Sequence, residues 1–271
     1  MERTITDLRK ATWDIIVERK YWWIAGIFLA IVAIFLIIDI TGEIRFVVFP
    51  VALFVWRYSM IMSGVRGKFW KQFAEKHSYS YEEKGQHEGE NALLFKEGHS
   101  RAMEHVVSGE ISGRKFRLFE YEFTTGRGKH ARTYNYAVFE VPFEGHFPHI
   151  YLDQHHNNYG IGCKGEKLPI PHEFQKQFTL YGPLKYEMEA LMIFTPELFA
   201  YLLDEKWPHD VELVDQELLI FRRDVFYNLK DLEAEFDRAF NLAKMIATKL
   251  DRAKFLPIGD MPHRLQSVAR K

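Results

Sequence analysis

The sequence predicts an α+β protein in which an N-terminal two-helix transmembrane hairpin precedes a soluble domain with an antiparallel sheet covered by C-terminal helices. Two long apolar runs, a region with apolar period two and a final third with helical period carry this prediction. Of 271 residues, 47% are hydrophobic and 27% charged, which excludes a disordered or collagen-like chain. We therefore expect a membrane anchor over residues 1–77 and a cytoplasmic α+β domain over residues 78–271.

The first apolar run extends from Tyr21 to Ile38 without a charged residue. As a helix it would be about 27 Å long, close to the thickness of the hydrocarbon core of a bilayer. The second run, from Phe46 to Val65, is interrupted only by Arg57, for which we expect an intramembrane polar contact. Because an arginine at the bilayer centre costs about 2.5–3.5 kcal/mol on insertion scales, one span plus an interfacial helix is the alternative to the hairpin.

The distribution of lysine and arginine predicts the orientation of the hairpin. Both the N-terminal arm and the segment after the second run are rich in these residues, whereas the linker 39–45 contains only Arg45. The positive-inside rule therefore predicts a multi-pass protein of the inner (cytoplasmic) membrane with both termini in the cytoplasm. Residues 1–76 hold 11 Lys/Arg and 7 Asp/Glu, and the rest of the chain holds 25 and 30. This acidic remainder argues against nucleic acid as a partner.

The soluble domain begins with a series of short segments of alternating hydrophobicity. The candidate strands are Tyr79–Glu83, Ala92–Lys96, Met103–Ile111, Lys115–Thr124, Tyr134–Phe143 and His149–Asp153. In the fourth, the alternation slips between Leu118 and Phe119, which indicates a β-bulge. The fourth and fifth flank the loop 125–131, so we expect a long hairpin.

Helical signals dominate the C-terminal third. Thr195 and Pro196 begin a helix that is expected to end near Asp204, and residues 211–214 and 217–221 are expected to form a hairpin. Asn228 is expected to cap a long helix, Leu229–Lys254, whose apolar stripe would cover one face of the sheet. The tail after Phe255 contains Pro257, Gly259 and Pro262, so we expect it to be mobile.

The loop between the fourth and fifth strands is a candidate anion site. Arg127, Lys129 and Arg132 lie within six residues of an otherwise acidic domain. The loop is not a phosphate-binding Walker motif, because a strand rather than a helix follows the lysine. A solvated cationic hairpin end is the simpler interpretation, and contact with an anion or a lipid headgroup is the functional one.

Two further groups of residues suggest hydrolytic or metal chemistry. Gly98-His99-Ser100 departs from a nucleophile elbow, although Asp153 and His155 would supply triad partners for Ser100. A second group of possible ligands falls within eleven residues: His146, His149, Asp153, His155 and His156. Imidazole and carboxylate suit zinc, but a polar turn is the simpler interpretation, so no metal or other cofactor is predicted.

The order of these features resembles a family of uncharacterised bacterial membrane proteins with two N-terminal spans and a cytoplasmic domain of unknown function. The resemblance lies in Phe69-Trp70 with Phe73-Ala74, in Gly98-His99-Ser100, in Phe119–Lys129, in Val138–Val141 and in the Leu198–Leu203 helix with the strands after it. It implies the same topology and no assigned activity or catalytic residue.

Three functions remain open from the sequence. The first is a membrane-anchored cytoplasmic binding or scaffold domain without catalysis, whose partners would be the bilayer, anionic headgroups or another membrane protein. The second is a membrane-bound hydrolase that uses Ser100 or the 146–156 histidine cluster. The third is a subunit of a membrane transport or envelope assembly, in which Arg57 makes the intramembrane contact.

Overall fold

A computed structural model describes residues 4–18, 20–41, 48–86, 91–157, 163–252 and 265–267. The helices are α1 (Leu8–Glu18), α2 (Lys20–Thr41), α3 (Val48–Lys76), α4 (Leu93–Lys96), α5 (Glu187–Ile193), α6 (Pro196–Asp204) and α7 (Leu229–Arg252). The strands are β1 (Ser80–Lys84), β2 (His99–Ile111), β3 (Arg114–Thr125), β4 (Arg132–Gln154), β5 (Cys163–Lys164), β6 (Phe178–Tyr181), β7 (Asp210–Arg223) and β8 (Gln266–Ser267). The chain divides into two compact units, residues 1–77 with 227–232 and residues 78–226 with 233–271.

The first unit contains α1, α2 and α3 together with the first turn of α7. Asp7 begins α1, because its Oδ1 accepts a 2.8 Å hydrogen bond from the backbone N–H of Lys10. The backbone N–H of Leu8 donates to the carbonyl of Tyr227, and that of Leu229 donates to the carbonyl of Thr6. These bonds attach residues 227–232 to the N-terminal helices.

Helices α2 and α3 carry many large apolar side chains that are exposed, among them Phe28, Phe35 and Trp56. Across the part of the chain that the structure describes, no helix combines the length and the apolarity that a bilayer crossing requires. The transmembrane hairpin of the sequence prediction is therefore not confirmed. Residues 42–47, which include most of the predicted linker 39–45, lie outside the described residues.

The second unit is α+β, as the sequence predicts, with an antiparallel sheet of six strands among the described residues. The strand order is β1-β2-β3-β4-β6, and β7 also pairs with β4. Strands β3 and β4 form the predicted long hairpin, in register from Arg117↔Glu140 to Thr125↔Arg132. A separate two-stranded ladder joins β5 to β8.

The slip in alternation at Leu118–Phe119 is not a β-bulge, because the β3–β4 register runs through both residues without a shift. Both side chains are buried since the sheet is covered on both faces. Phe116 packs edge-to-face on Phe236 of α7, whereas Phe119 belongs to the cluster around α4. The bulge lies in β2 instead, where the register shifts between Glu104 and Val107.

Three of the strand predictions differ from the structure. Ala92–Lys96 forms the single helical turn α4, whose apolar residues 92–95 are all buried, so a period of two does not apply. The predicted 211–214 and 217–221 hairpin is one strand, β7, which continues through Asp215 at a φ of +53°. The β4–β7 register shifts on both sides of the Phe147↔Asp215 pair, because β4 has extra residues there. Similarly, the fifth and sixth predicted strands are the two ends of β4.

Helices α6 and α7 agree with the sequence prediction except at one cap, whereas α5 was not predicted. Asn228 caps α7 through a 2.8 Å bond from the backbone N–H of Lys230 to its Oδ1. Thr195 precedes α6, but its hydroxyl bonds to the Glu197 carboxylate rather than to a backbone N–H. The tail is not wholly free, because Leu265 is buried and residues 266–267 form β8; residues 253–264 and 268–271 lie outside the described residues.

Candidate anion-binding site at the β3–β4 hairpin tip

The hairpin tip is the turn of residues 126–131 with the first residue of β4. Residues Gly128–His130 form a short 3₁₀ helix, closed by backbone bonds from His130 to Arg127 and from Ala131 to Gly128. Gly126 has a φ of +73°, and a Cβ there would overlap the carbonyl oxygen of His130. Arg127, Lys129 and Arg132 are all exposed, so the turn presents its cations to solvent.

A second segment, Lys96–Arg101, lies beside the tip. His99 pairs with Thr124 at the start of β2, and its Nε2 lies 2.8 Å from the carbonyl oxygen of Gly126. Arg101 stabilises the segment by donating to the backbone carbonyls of Lys96, Glu97 and Gly98. The two segments together therefore form one fixed surface.

The charge of this surface is predominantly positive. Lys96 and Arg101 are exposed and add two cations to Arg127, Lys129 and Arg132. The carboxylate within the two segments belongs to Glu97, which is half-buried. One of its oxygens is buried and has no hydrogen-bond partner in the described part of the chain. The whole second unit is acidic by sequence, so this cationic surface differs in sign from the rest of its own domain.

Ser100 contacts the histidine that precedes it. The Oγ of Ser100 lies 3.1 Å from Nδ1 of His99. Because a carbonyl only accepts, Nε2 of His99 carries a proton toward Gly126, and in the neutral imidazole Nδ1 then accepts from the serine hydroxyl. Here a backbone carbonyl occupies the position that a carboxylate holds in a catalytic triad.

The alternative of a triad formed by Ser100, Asp153 and His155 is not supported by their positions. Ser100 lies where β2 pairs with the Thr124 end of β3, whereas Asp153 lies at the far end of β4 and pairs with Thr179 of β6. His155 bonds to Thr179 through Nε2 at 2.7 Å. Ser100 and the 146–156 segment therefore do not meet in one pocket.

The histidine segment is distributed over separate environments. His149 is buried and bonds to Glu212, His155 bonds to Thr179, and the His156 side chain is exposed. The His146 side chain lies outside the described residues. No group of three histidine, cysteine, aspartate or glutamate side chains suited to a metal ion occurs in the described part of the chain.

A buried polar network lies where β4 and β7 pair, and the sequence prediction did not include it as a unit. His149 Nε2 lies 2.6 Å from Glu212 Oε1, which also accepts a 2.7 Å bond from the backbone N–H of Leu93. Next to this pair, the hydroxyl of Tyr151 donates to Asp210 at 2.7 Å. The second oxygen of Glu212 is buried and has no hydrogen-bond partner among the residues that the structure describes.

Burial controls the protonation of this network. Burial, with the neighbouring Asp153 carboxylate, raises the pKa of Asp210 to about 7 despite three hydrogen bonds that favour the charged form. Burial also raises the pKa of the Cys163 thiol to about 12, with Glu212 and Asp153 acting in the same direction. The thiol is therefore protonated and weakly nucleophilic at neutral pH. In the sequence, Asp210 and Glu212 alternate with Val211 and Leu213, the pattern of a half-exposed strand, so no local signal marks them as buried.

Arg57, the predicted intramembrane contact, lies on α3 with its side chain exposed. It belongs to the first unit, whereas the hairpin tip and the buried network belong to the second.

Comparison with protein-family models and with curated proteins gives no match. Among solved structures, the chain is similar to that of the mycobacterial trehalose monomycolate transport factor A, TtfA. The TM-score is 0.46 at 12% sequence identity, and the alignment covers 72% of this chain and 98% of that one.

Proposed function

We propose that this chain is a non-catalytic, membrane-associated binding domain whose hairpin tip contacts an anionic surface such as lipid headgroups. The observation that carries the proposal is the joined surface of residues 96–101 and 126–132, which concentrates five exposed cations on an acidic domain. Each lysine or arginine near an anionic membrane contributes about 1 kcal/mol, so a few such residues suffice for weak, salt-sensitive binding.

The fixed geometry of the tip supports this function. The His99–Gly126 bond and the backbone bonds of the 3₁₀ turn hold the two segments before any ligand arrives. Less conformational entropy is then lost on binding than for a disordered cationic loop. Lysines and arginines on a hairpin end also discourage aggregation, and a binding experiment separates that role from ligand contact.

The experiment uses the full chain in nanodiscs of neutral phosphatidylcholine and measures capture of phosphatidylglycerol vesicles. Arg127→Glu with Lys129→Glu is expected to reduce capture by at least about tenfold and to remove its salt dependence. The matched control, Lys185→Glu with Lys244→Glu, changes the net charge equally at exposed sites on other elements and is expected to retain capture. Equal loss in both pairs, or no capture even at low salt, would contradict the proposal.

The proposed membrane association places residues 1–77 in the inner membrane with both termini in the cytoplasm. The uncharged run 21–38 and the exposed apolar side chains of α2 and α3 support contact with lipid. In a Cys163→Ser chain, a cysteine placed by Gly42→Cys is expected to react with an impermeant thiol reagent in intact cells. One placed by Glu110→Cys, at an exposed position of β2, is expected to react only after permeabilisation. The reverse pattern would overturn the orientation.

A subunit of a membrane transport or envelope assembly is the second candidate. The exposed apolar side chains of α2 and α3, together with the exposed Arg57, suit contact with another membrane protein. Arg57→Leu is expected to remove membrane proteins that co-purify with the chain, whereas Lys71→Leu, an exposed change farther along α3, is expected to keep them. Co-purification that survives Arg57→Leu would argue against this role for Arg57.

A further inference from the structure

A cavity of about 350 Å³ lies in the first unit, between α1 and the C-terminal half of α3. Its walls are the segment 4–7, a face of α1 that includes Ala11 and Ile15, and a face of α3 that includes Val65. The volume is at the lower end of the range typical of small-molecule sites. The cavity therefore suits a small group rather than a peptide or a large cofactor.

Contacts within the protein hold the walls of this cavity in place. The backbone N–H of Ile5 donates to Oε1 of Gln72 at 2.8 Å, which attaches the segment 4–7 to α3. The hydroxyl oxygen of Thr12, a buried residue of α1, lies 3.3 Å from the sulfur of Met62 on α3. Because these contacts involve no ligand, the cavity is formed before a ligand binds, and less entropy is lost on binding.

Charged side chains of both signs line the cavity. Three carboxylates and one lysine lie on the lining face of α1, and a second lysine lies on α3: Asp7, Asp14, Glu18, Lys10 and Lys68. Both lysines are exposed, whereas Asp7 and Asp14 are half-buried. A ligand with one positive and one negative end complements this lining, since carboxylates bind an ammonium and lysines bind a phosphate. A ligand of a single charge would face like charges.

We propose that this cavity binds an aminoalkyl phosphate ester, with its phosphate at Lys10 and Lys68 and its primary ammonium at Asp14. A primary ammonium donates three hydrogen bonds, which suits the carboxylate-rich wall. In phosphatidylethanolamine the phosphate adjoins the glycerol and the ammonium is the free end. This order matches lysines that are exposed and an aspartate that is half-buried.

The same chemical group occurs in a lipid headgroup and in soluble esters such as glycerophosphoethanolamine. The exposed apolar side chains of α2 and α3 belong to the same unit as the cavity, which favours the lipid. Only this lipid source rests on the proposed membrane association of residues 1–77. The site shares no residue with the hairpin tip.

The first experiment titrates the full chain with glycerophosphoethanolamine, in micelles of the uncharged detergent dodecyl maltoside, and measures the heat of binding. Saturable binding is expected, and Asp14→Asn with Lys68→Gln is expected to weaken it at least about tenfold. The matched control, Glu75→Gln with Lys71→Gln, removes the same two charges from an exposed pair outside the cavity and is expected to retain binding. Glycerophosphocholine has no ammonium N–H and is expected to bind at least about tenfold more weakly.

A further variant separates ligand binding from the packing of α1 on α3. Ala11→Leu fills part of the cavity without a change in charge, and leucine is nearly as good a helix former as alanine. The substitution is expected to weaken binding at least about fivefold while the circular dichroism spectrum stays unchanged. Glycerophosphoethanolamine is expected to raise the melting temperature of the native chain more than that of the variant.

The second experiment identifies the source of the ester. The chain is released from nanodiscs of equal phosphatidylethanolamine, phosphatidylcholine and phosphatidylglycerol, and native mass spectrometry measures the lipids that it retains. Enrichment of phosphatidylethanolamine that is lost in Asp14→Asn with Lys68→Gln, but kept in the control pair, would identify the headgroup. Binding of glycerophosphoethanolamine without this enrichment would identify a soluble ester.

The hairpin-tip variant Arg127→Glu with Lys129→Glu is expected to leave both measurements unchanged, so the two proposals fail independently. Three results would overturn the present one. They are no saturable binding of glycerophosphoethanolamine to the native chain, equally tight binding of inorganic phosphate or ethanolamine alone, and equal loss of affinity in the cavity and control pairs.

Discussion

The hydroxyl of Tyr151 donates a 2.7 Å hydrogen bond to the carboxyl of Asp210 on the neighbouring strand, and both residues are fully buried. The same environment raises the pKa of Tyr151 well above its usual value, first through burial and then through the Asp210 charge. Burial and the neighbouring Asp153 carboxylate outweigh the Tyr151 hydrogen bond and favour a protonated Asp210, which makes the stability of the second unit depend on pH.

The first prediction is that the free energy of unfolding falls as pH rises. Asp210 has a pKa of about 7 in the folded chain and about 4 when unfolded, so between these values the folded state binds more protons. The stabilisation is complete below about pH 4 and is lost as pH approaches 7, with a slope of about 1 kcal/mol per pH unit. Denaturant unfolding of the native chain and of Asp210→Asn is measured from about pH 5 to 8.

Asparagine imitates the protonated carboxyl in this comparison. Asp210→Asn is therefore expected to weaken the pH dependence of the free energy of unfolding. The substitution is expected to destabilise the chain least, or to stabilise it, at the highest pH measured. Glu140, whose pKa burial raises to about 7, contributes a slope of the same sign, and Glu140→Gln is the matched variant. If Asp210→Asn leaves the slope unchanged, Asp210 is already ionised in the folded chain and the argument fails.

The second prediction concerns the ion pair between β3 and β4. Arg117 donates to both oxygens of Glu140, whose side chain is 4% exposed. Arg117→Met is expected to destabilise the domain by about 2 kcal/mol near neutral pH, because a buried carboxylate loses its partner. Adding Glu140→Gln is expected to restore part of this loss, and a double-mutant cycle by denaturant unfolding measures the coupling. Strict additivity of the two changes would show that the pair is not coupled.

The third prediction concerns the helix that covers the sheet. Phe236 packs edge-to-face on Phe116 and Phe139, with ring centroids 5.1 and 5.6 Å apart. Phe236→Asp places an unpaired carboxylate in this interface and is expected to cost about 3 kcal/mol or more. Lys244→Asp, at an exposed position of the same helix, is the control and is expected to cost less than about 0.5 kcal/mol. Similar melting of Phe236→Asp and the native chain would refute the covering role of α7.

The fourth prediction separates the shape of the hairpin tip from its charge. Gly126→Ala would overlap the His130 carbonyl, whereas Gly128, also at positive φ, has open space around its Cβ position. Gly126→Ala is therefore expected to distort the 3₁₀ turn and reduce vesicle capture several-fold with no change in charge. Gly128→Ala costs only about 1 kcal/mol of backbone strain and is expected to retain capture. Equal capture by both variants would show that tip geometry is irrelevant to binding.

The β3–β4 hairpin could be predicted from the sequence because alternating residues flank a single short loop. The bulge predicted at Leu118 is wrong, because both faces of the sheet are covered there. The spacing of apolar residues alone does not distinguish a register shift from burial on both faces. The same limit explains α4, where four consecutive buried residues imitate a strand. Long-range contacts could not be predicted from the sequence, because nothing in the local sequence connects His99 to Gly126 or His149 to Glu212.

Strand β4 pairs with β3 along its first half and with β7 between Ala137 and Leu152. One edge of β4 therefore pairs with a strand that is synthesised much later in the chain. During synthesis the β1–β4 meander emerges from the ribosome long before β7 does, and until then the apolar strand offers an open edge to any other nascent chain. The interval between the two strands, filled by β6, α5 and α6, therefore sets how long the growing polypeptide requires protection from aggregation.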